Sequence, residues 1–372
     1  MTGRERFRRY MHYQPADRAP NLEVGAWTQT VQRWLGEGMP PGTGLEESSL
    51  TFNGNDFFGL DRQRDLGLNA GGPLPSFEPE VLQEDDRVIV QRDGSGVVTQ
   101  SLKDGSSMGK YLSFPVHDRQ GFEAMRRRYD PSTPERYPAN WPEWVRTLNA
   151  ADCPVWGPGI GSIGFFSQLR RWMGTENACT LFYDDPALAH EMCEFIADFT
   201  LALMERALRE VPLDYFMWWE DFSFKTGPLV SPAIFREFLL PRYHRCNEAL
   251  RAAGVDVIFL DTDGNPTVLL GLLLEAGVNG TYPLEAAAGM DPLVVRKEFG
   301  RDLLMWGGVD KRALARGEAE VRAELLRKLP PLLEDGGYIP QLDHLAPPDI
   351  PYRNWLYYLD CKRKLLAGET RL

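Results

Sequence analysis

Several stretches of this chain read as a short apolar strand that ends in a carboxylate and then opens a helix. They are residues 215–221 (YFMWWED), 257–263 (VIFLDTD), 280–285 (GTYPLE), 303–310 (LLMWGGVD) and 338–344 (YIPQLDH). Near-continuous apolar strands belong to a sheet covered on both faces, and strands separated by helices belong to a parallel sheet. The intervening periodicity predicts helices over residues 186–209, 232–253, 266–276, 292–299, 311–334 and 350–367, several of them closed by glycine. So many β-α units in a row favour a (β/α)8 TIM barrel over a doubly wound sheet. In a closed barrel the strand ends gather at one rim, so the acids would share one mouth. Carboxylates gathered there raise one another's pKa or demand a cation, which makes the rim the expected working site.

The first part of the chain reads differently. A basic amphipathic helix is expected over residues 3–10 and a strand over 21–27, with residues 35–44 as loop. Alternation on either side of an Asp-Gly turn predicts a β-hairpin, residues 88–91 and 97–100, followed by a strand within 110–116. The expected organisation is a single domain over 1–372. Residues 1–150 hold an N-terminal extension and the first barrel elements, and 151–372 hold the regular repeats.

A net charge of −12 over 372 residues argues against wrapping nucleic acid or docking on an anionic membrane, both of which need basic patches. The charged N-terminus is not a signal peptide, and the run 267–274 (TVLLGLLL) is too short to span a bilayer. The five cysteines are scattered without a CxxC pair, which indicates neither a disulfide scaffold nor a zinc knuckle. A cytoplasmic enzyme acting on a small molecule is the expectation. The turn at 157–161 (GPGIG) has G-x-G without the third glycine or the downstream acid of a dinucleotide site.

Asp261 and Asp263 stand at i and i+2, so on a strand end they point the same way. They can bind a cation, hold an NH-bearing substrate or share a proton; for Asp263 the alternative is capping the next helix. Glu220 and Asp221 follow Trp218 and Trp219; one of the two acids should face the mouth and the other the outer shell, and an aromatic wall beside a carboxylate suits a flat ligand or a general acid, core packing being the alternative for the indoles. Glu285 after Tyr282-Pro283, and Asp310 before Lys311-Arg312, are single acids at strand ends, with a helix N-cap the alternative for Asp310. Asp343 beside His344 can act as acid, base or metal ligand, or simply hold a turn.

Taken together, residues 220–243 (EDFSFKTGPLVSPAIFREFLLPRY), 261–265 (DTDGN), 283–285 with 288–291 (PLE, AGMD), 307–312 (GGVDKR) and 336–348 (GGYIPQLDHLAPP) resemble the uroporphyrinogen decarboxylase superfamily, as does the opening RERFRRYMHYQPADRAP of residues 4–20. The resemblance implies a (β/α)8 barrel with its site in the C-terminal mouth, and a homodimer. It implies one of two chemistries: cofactor-free decarboxylation, or methyl transfer to or from a corrinoid protein with zinc activating a thiol. Decarboxylases of the superfamily carry an arginine-rich segment where this chain reads NLEVGAWTQT, residues 21–30. Thiol methyltransferases read His-x-Cys-Gly where this chain has Asp261-Thr262-Asp263-Gly264, and a second cysteine where it has Asp343-His344. Thiolates replaced by carboxylates turn a soft zinc site into a hard oxygen site, any metal falling to Asp261, Asp263, Asp343 and His344.

The pattern is more similar to the uncharacterised or O-demethylase-like members than to true uroporphyrinogen decarboxylases, and so the resemblance implies methyl transfer from a small O- or N-methylated compound to a corrinoid carried by a partner protein. Asp261, Asp263, Glu285, Asp343 and His344 would be the catalytic groups. Trp218, Glu220, Tyr282, Trp306, Asp310 and Lys311 would contact substrate. The alternatives are a lyase that decarboxylates a small acid, with Lys225, Lys311 or Arg312 holding the carboxylate and no cofactor, and a barrel that binds without turnover.

Overall fold

The computed structural model describes residues 1–44, 55–104, 109–158, 162–369 and 371–372. Part of the GPGIG turn, residues 159–161, lies outside the described residues. Strands run Arg64–Asp65 (β1), Glu80–Glu84 (β2), Val88–Arg92 (β3), Val98–Leu102 (β4), Lys110–Ser113 (β5), Val155–Gly157 (β6), Tyr215–Trp219 (β7), Ser223–Phe224 (β8), Gly227–Pro228 (β9), Ile258–Asp261 (β10), Gly280–Tyr282 (β11), Leu304–Trp306 (β12) and Tyr338–Ile339 (β13). Seven of them form one parallel sheet in the order β1-β6-β7-β10-β11-β12-β13. It curves as a half-barrel of TIM-like form, in a mixed α/β architecture.

Both faces of this sheet are covered. On the inner face Tyr215, Met217, Phe259, Tyr282, Leu304, Trp306 and Ile339 pack together with Phe7, Tyr10 and Met11 of the opening helix Gly3–Met11. That helix starts at a capping box, in which Thr2 and Glu5 satisfy each other's backbone N–H groups. The alternate residues Phe216, Trp218, Ile258, Leu260, Met305 and Tyr338 pack outward into the larger core shared with the helices. Strands β2 to β5 form a separate four-stranded antiparallel sheet. Its β3–β4 pair runs from Val88↔Leu102 to Arg92↔Val98 around a turn in which Asp93 Oδ1 accepts the N–H groups of Ser95 and Val97.

Two helices depart from the periodicity. The helix expected over 311–334 is two, Lys311–Arg316 and Glu318–Asp335, parted at Gly317 with φ 147°, a conformation that favours glycine. The helix expected over 232–253 contains a π-helical turn, Phe235–Leu239. Pro241 has no N–H for the carbonyl of Glu237, and the Arg242 guanidinium lies 3.4 Å from that oxygen.

Residues 21–27, expected as a strand, form only one isolated bridge, Ala26 with Ala346. A side chain does the joining instead. Glu23 accepts the N–H of Leu342 at 3.2 Å, the hydroxyl of Tyr358 at 2.5 Å and the ammonium of Lys362 at 2.5 Å. On the other side, the carbonyl of Asn21 accepts the N–H of Asp61. The start of the chain is thus tied to the last helix, Tyr352–Leu366, and to the segment after β13. The Lys362 and Glu23 side chains are fully buried, and burial pulls the lysine below its usual pKa against the opposing pull of Glu23. No helix among the described residues is long and apolar enough to cross a membrane. Replacing Lys362 by Met leaves the buried Glu23 without its ion partner and should cost about 3–5 kcal/mol in urea unfolding, much of which the added Glu23→Gln change should restore.

Candidate active site

The strand pleat decides which residues reach the mouth. Along β7, Tyr215 and Met217 face inward, so Trp219 does as well, while Phe216, Trp218 and Glu220 face the helices. Trp219 is in register with Asp261, and Asp261 with Tyr282. These three residues form the top inward layer at the carboxyl ends of β7, β10 and β11. In the layer below, Phe259 sits against Gly280, where an added Cβ would come within 2.4 Å of its ring.

The outward direction of Trp218 and Glu220 removes both from the mouth, contrary to the substrate contact expected of them. The Trp218 indole N–H donates to Asn247 Oδ1 at 2.9 Å in the outer core. Glu220 accepts the backbone N–H groups of Phe165, Phe166 and Ser167, at 2.5, 3.1 and 2.8 Å, and the Tyr243 hydroxyl. Its carboxylate therefore caps the helix Phe165–Met173, where free N–H groups and the helix dipole favour negative charge. Burial still pushes its pKa up, opposed by those donors. Trp219 and Asp221 stand at the rim instead: Arg171 lies 4.2 Å from the Trp219 ring centroid and Arg170 pairs with Asp221. Of the two adjacent acids, two-residue alternation from Met217 gives the mouth to Asp221, and of the two indoles to Trp219; Arg170 and Arg171 are not among the residues the sequence singles out.

The remaining acids converge. Asp263 Oδ2 lies 3.5 Å from His344 Nε2. Glu285 Oε2 accepts the N–H of Gly264, beside Asp263, at 3.0 Å. Lys311 Nζ stands 3.9 Å from Glu285 and 3.4 Å from Asp343. Asp343, fully buried, also accepts the N–H groups of Ala286 at 3.0 Å and Lys311 at 3.1 Å. Asp263 does not cap the next helix; Asn265 Oδ1 accepts the Thr267 N–H in that place. Asp310 is a helix cap, accepting the Arg312 N–H at 2.9 Å while gripping the Arg312 guanidinium.

Asp261 differs from its neighbours. It is 7% exposed, and among the described residues no hydrogen bond or ion pair holds its carboxyl. Burial raises its pKa well above the usual range, and the charges of Asp263 and Asp221 push the same way. For Asp263, burial acts upward but the hydrogen bond and charge of His344 overcome it and hold the pKa low. The hydrogen bond that His344 donates to Asp263 holds the imidazole above its ordinary value. Asp343 is pushed up by burial against the pull of Lys311. The mouth thus sets an acid biased toward its protonated form beside a carboxylate and an imidazole that favour each other's charged forms. Beside Asp261 in the same layer, the Trp306 indole N–H donates to Gln341 Oε1 at 2.8 Å, and Gln341 Nε2 donates to Tyr282 Oη at 3.2 Å.

A zinc site does not fit these side chains. Among the described residues, no group of three or more His, Cys, Asp or Glu is placed to hold a metal ion. Asp343 is engaged by two backbone N–H groups and Lys311, and His344 by Asp263. The ligand set expected of Asp261, Asp263, Asp343 and His344 is not assembled.

The uroporphyrinogen decarboxylase (URO-D) family model matches residues 109–365. The chain belongs to the uroporphyrinogen decarboxylase family. Within that family, uroporphyrinogen decarboxylases from two strains of Thermus thermophilus are each 27% identical over 272 residues, 70% of this chain and 73% of theirs. Among solved structures, a methyltransferase from Methanosarcina mazei aligns with a TM-score of 0.65 at 15% identity, covering 98% of this chain and 99% of its own. That likeness carries the TIM-like fold. Residues 261–265, inside the matched stretch, supply both Asp261 and the Asp263 paired with His344.

Two outcomes test this geometry. Asp263→Asn removes the partner that raises His344, so the imidazole pKa followed by NMR should fall toward its ordinary value near 6.5. The paired His344 contributes stability that is present below its unfolded pKa and lost as pH rises through the raised folded one, so the variant should lose most stability on the acid side of that window. Asp261 has the opposite sense to a paired acid. Its folded form holds a proton that the unfolded chain releases above the ordinary 3.8, so wild-type stability falls as pH rises from there. In thermal melts, Asp261→Asn should gain over wild type increasingly with pH.

Proposed function

We propose that this chain is a methyltransferase that moves a methyl group from a small O- or N-methylated compound to a corrinoid protein partner. Family membership supports an enzyme, and the methyltransferase neighbour supports this branch of the family. The observation that carries the reading is Asp261: a buried carboxyl without a partner among the described residues, at the floor of the mouth, where burial favours the form that keeps its proton.

A methyl group bound to oxygen or nitrogen leaves slowly unless the atom it leaves is protonated or otherwise neutralised. Asp261 is poised to give that proton. Asp263 with His344 holds a compensated charge pair at the rim, and Lys311 holds Asp343 and Glu285 in place. Trp219, Tyr282 and Trp306 wall the space. The corrinoid on the partner would supply the nucleophile. The long N- and C-terminal contacts close the sheet into a full (β/α)8 barrel in this reading, with one mouth for substrate and partner.

The test is demethylated product, followed by mass spectrometry, from methylated compounds incubated with reduced corrinoid protein. Asp261→Asn should lower the rate by about 10²–10⁴-fold, and the wild-type rate should fall as pH rises through the raised Asp261 pKa. Carbon dioxide released from a small acid without corrinoid would decide for the lyase reading, which the decarboxylase relatives favour.

A further inference from the structure

The hydrogen-bond chain beside Asp261 has a direction set by chemistry. An indole N–H can only donate, so the Gln341 atom 2.8 Å from Trp306 Nε1 is the amide oxygen. The other end of Gln341 is then the NH2 group, a donor, and it lies 3.2 Å from Tyr282 Oη. Tyr282 accepts there, and its own proton is left for a different acceptor. Among the described residues Tyr282 Oη has no second partner, and the Asp261 carboxyl has none. Gln341, Tyr282 and Asp261 are 1%, 5% and 7% exposed. Tyr282 and Asp261 are in register on adjacent parallel strands, so both face the same space.

We propose that the Tyr282 hydroxyl and the Asp261 carboxyl together read an acceptor oxygen of the substrate, so that the methyl donor is a methoxy compound and not a methylated ammonium. The assignment rests on the methyl-transfer reading and narrows it. An ether oxygen has two lone pairs, which meet the two donors. A quaternary nitrogen has none, and binding it would leave both buried donors unpaired. In the transfer, the acceptor's nucleophile brings the electron pair that bonds the methyl carbon. The C–O bond breaks and its pair stays on oxygen, Asp261 gives that oxygen its proton, and Tyr282 keeps its own while its hydrogen bond strengthens as charge builds. Gln341 and Trp306 are positioning residues: they hold the hydroxyl proton toward the mouth.

The acidic rim offers the opposing expectation, because clustered carboxylates draw cations. Methoxybenzene and N,N,N-trimethylanilinium share an aromatic body and differ at the methylated atom. Calorimetric titration of the intact protein should give methoxybenzene an affinity at least about tenfold higher. Tyr282→Phe should weaken methoxybenzene about tenfold and leave trimethylanilinium within about twofold. Gln341→Leu, which keeps the hydroxyl but frees its direction, should weaken methoxybenzene in the same sense and carries the comparison if Tyr282→Phe fails to fold. Equal or tighter binding of the cation, no binding of methoxybenzene, or indifference to both substitutions overturns the assignment. Binding is read without methyl transfer, so the two readings fail separately. A methoxy preference without transfer sinks the proposed function alone. Transfer from a trimethylammonium donor, unchanged by Tyr282→Phe, sinks this assignment alone.

Discussion

The Glu220 N–H donates to the Asp261 carbonyl, at 2.7 Å, yet the two carboxyls have opposite fates. The pleat of the parallel sheet sends one outward into the N-terminus of a helix and the other inward into the mouth. Glu220 meets three backbone N–H groups and a phenol. Asp261 meets two more acids and no compensating donor among the described residues. Burying an acid without a partner is costly, and the usual relief is to keep the proton. The chemistry proposed here depends on that one sorting step, since it creates a proton donor in a place that water reaches poorly.

The layer that holds Asp261 is supported from below and from the side. Phe259 fills the level beneath, and the opening helix plugs the inner face with Phe7, Tyr10 and Met11. At the edge, Glu23 and Lys362 tie the first residues to the last helix without a regular strand. Such a buried pair is a poor source of net stability, but removing either partner is expensive. It specifies which segment meets Leu342, and hence how the Asp343-His344 segment that follows is presented.

Much of this was legible in the chain. Apolar strands ending in acids and separated by helices announced a parallel sheet with its acids at one rim, and Asp263, Glu285, Asp343, His344 and Lys311 do meet there, with the charge of Asp263 felt at Asp261. Register was legible only in part. Trp218 and Glu220 look like a ligand wall by composition, and only the direction of Met217 toward the inner core reveals that Trp219 and Asp221 face the mouth. Gln341 carried no signal, because a lone glutamine in an apolar strand acquires its role from Trp306 and Tyr282, which are distant in sequence. The break at Gly317 was hidden inside a helical period that continues through it, and the π turn before Pro241 depends on how a freed carbonyl is satisfied.

Local chemistry and periodicity determined the strands, most helices and the acidic strand ends, and the resemblance of short motifs pointed to the family. These are properties of short windows, set by spacing and by side-chain type. Tertiary structure decided which acid keeps its proton, which is spent on a helix end and which is paired with His344. Those outcomes depend on burial and on partners brought from far along the chain, and both exist only once the sheet has curved and its edges have been joined.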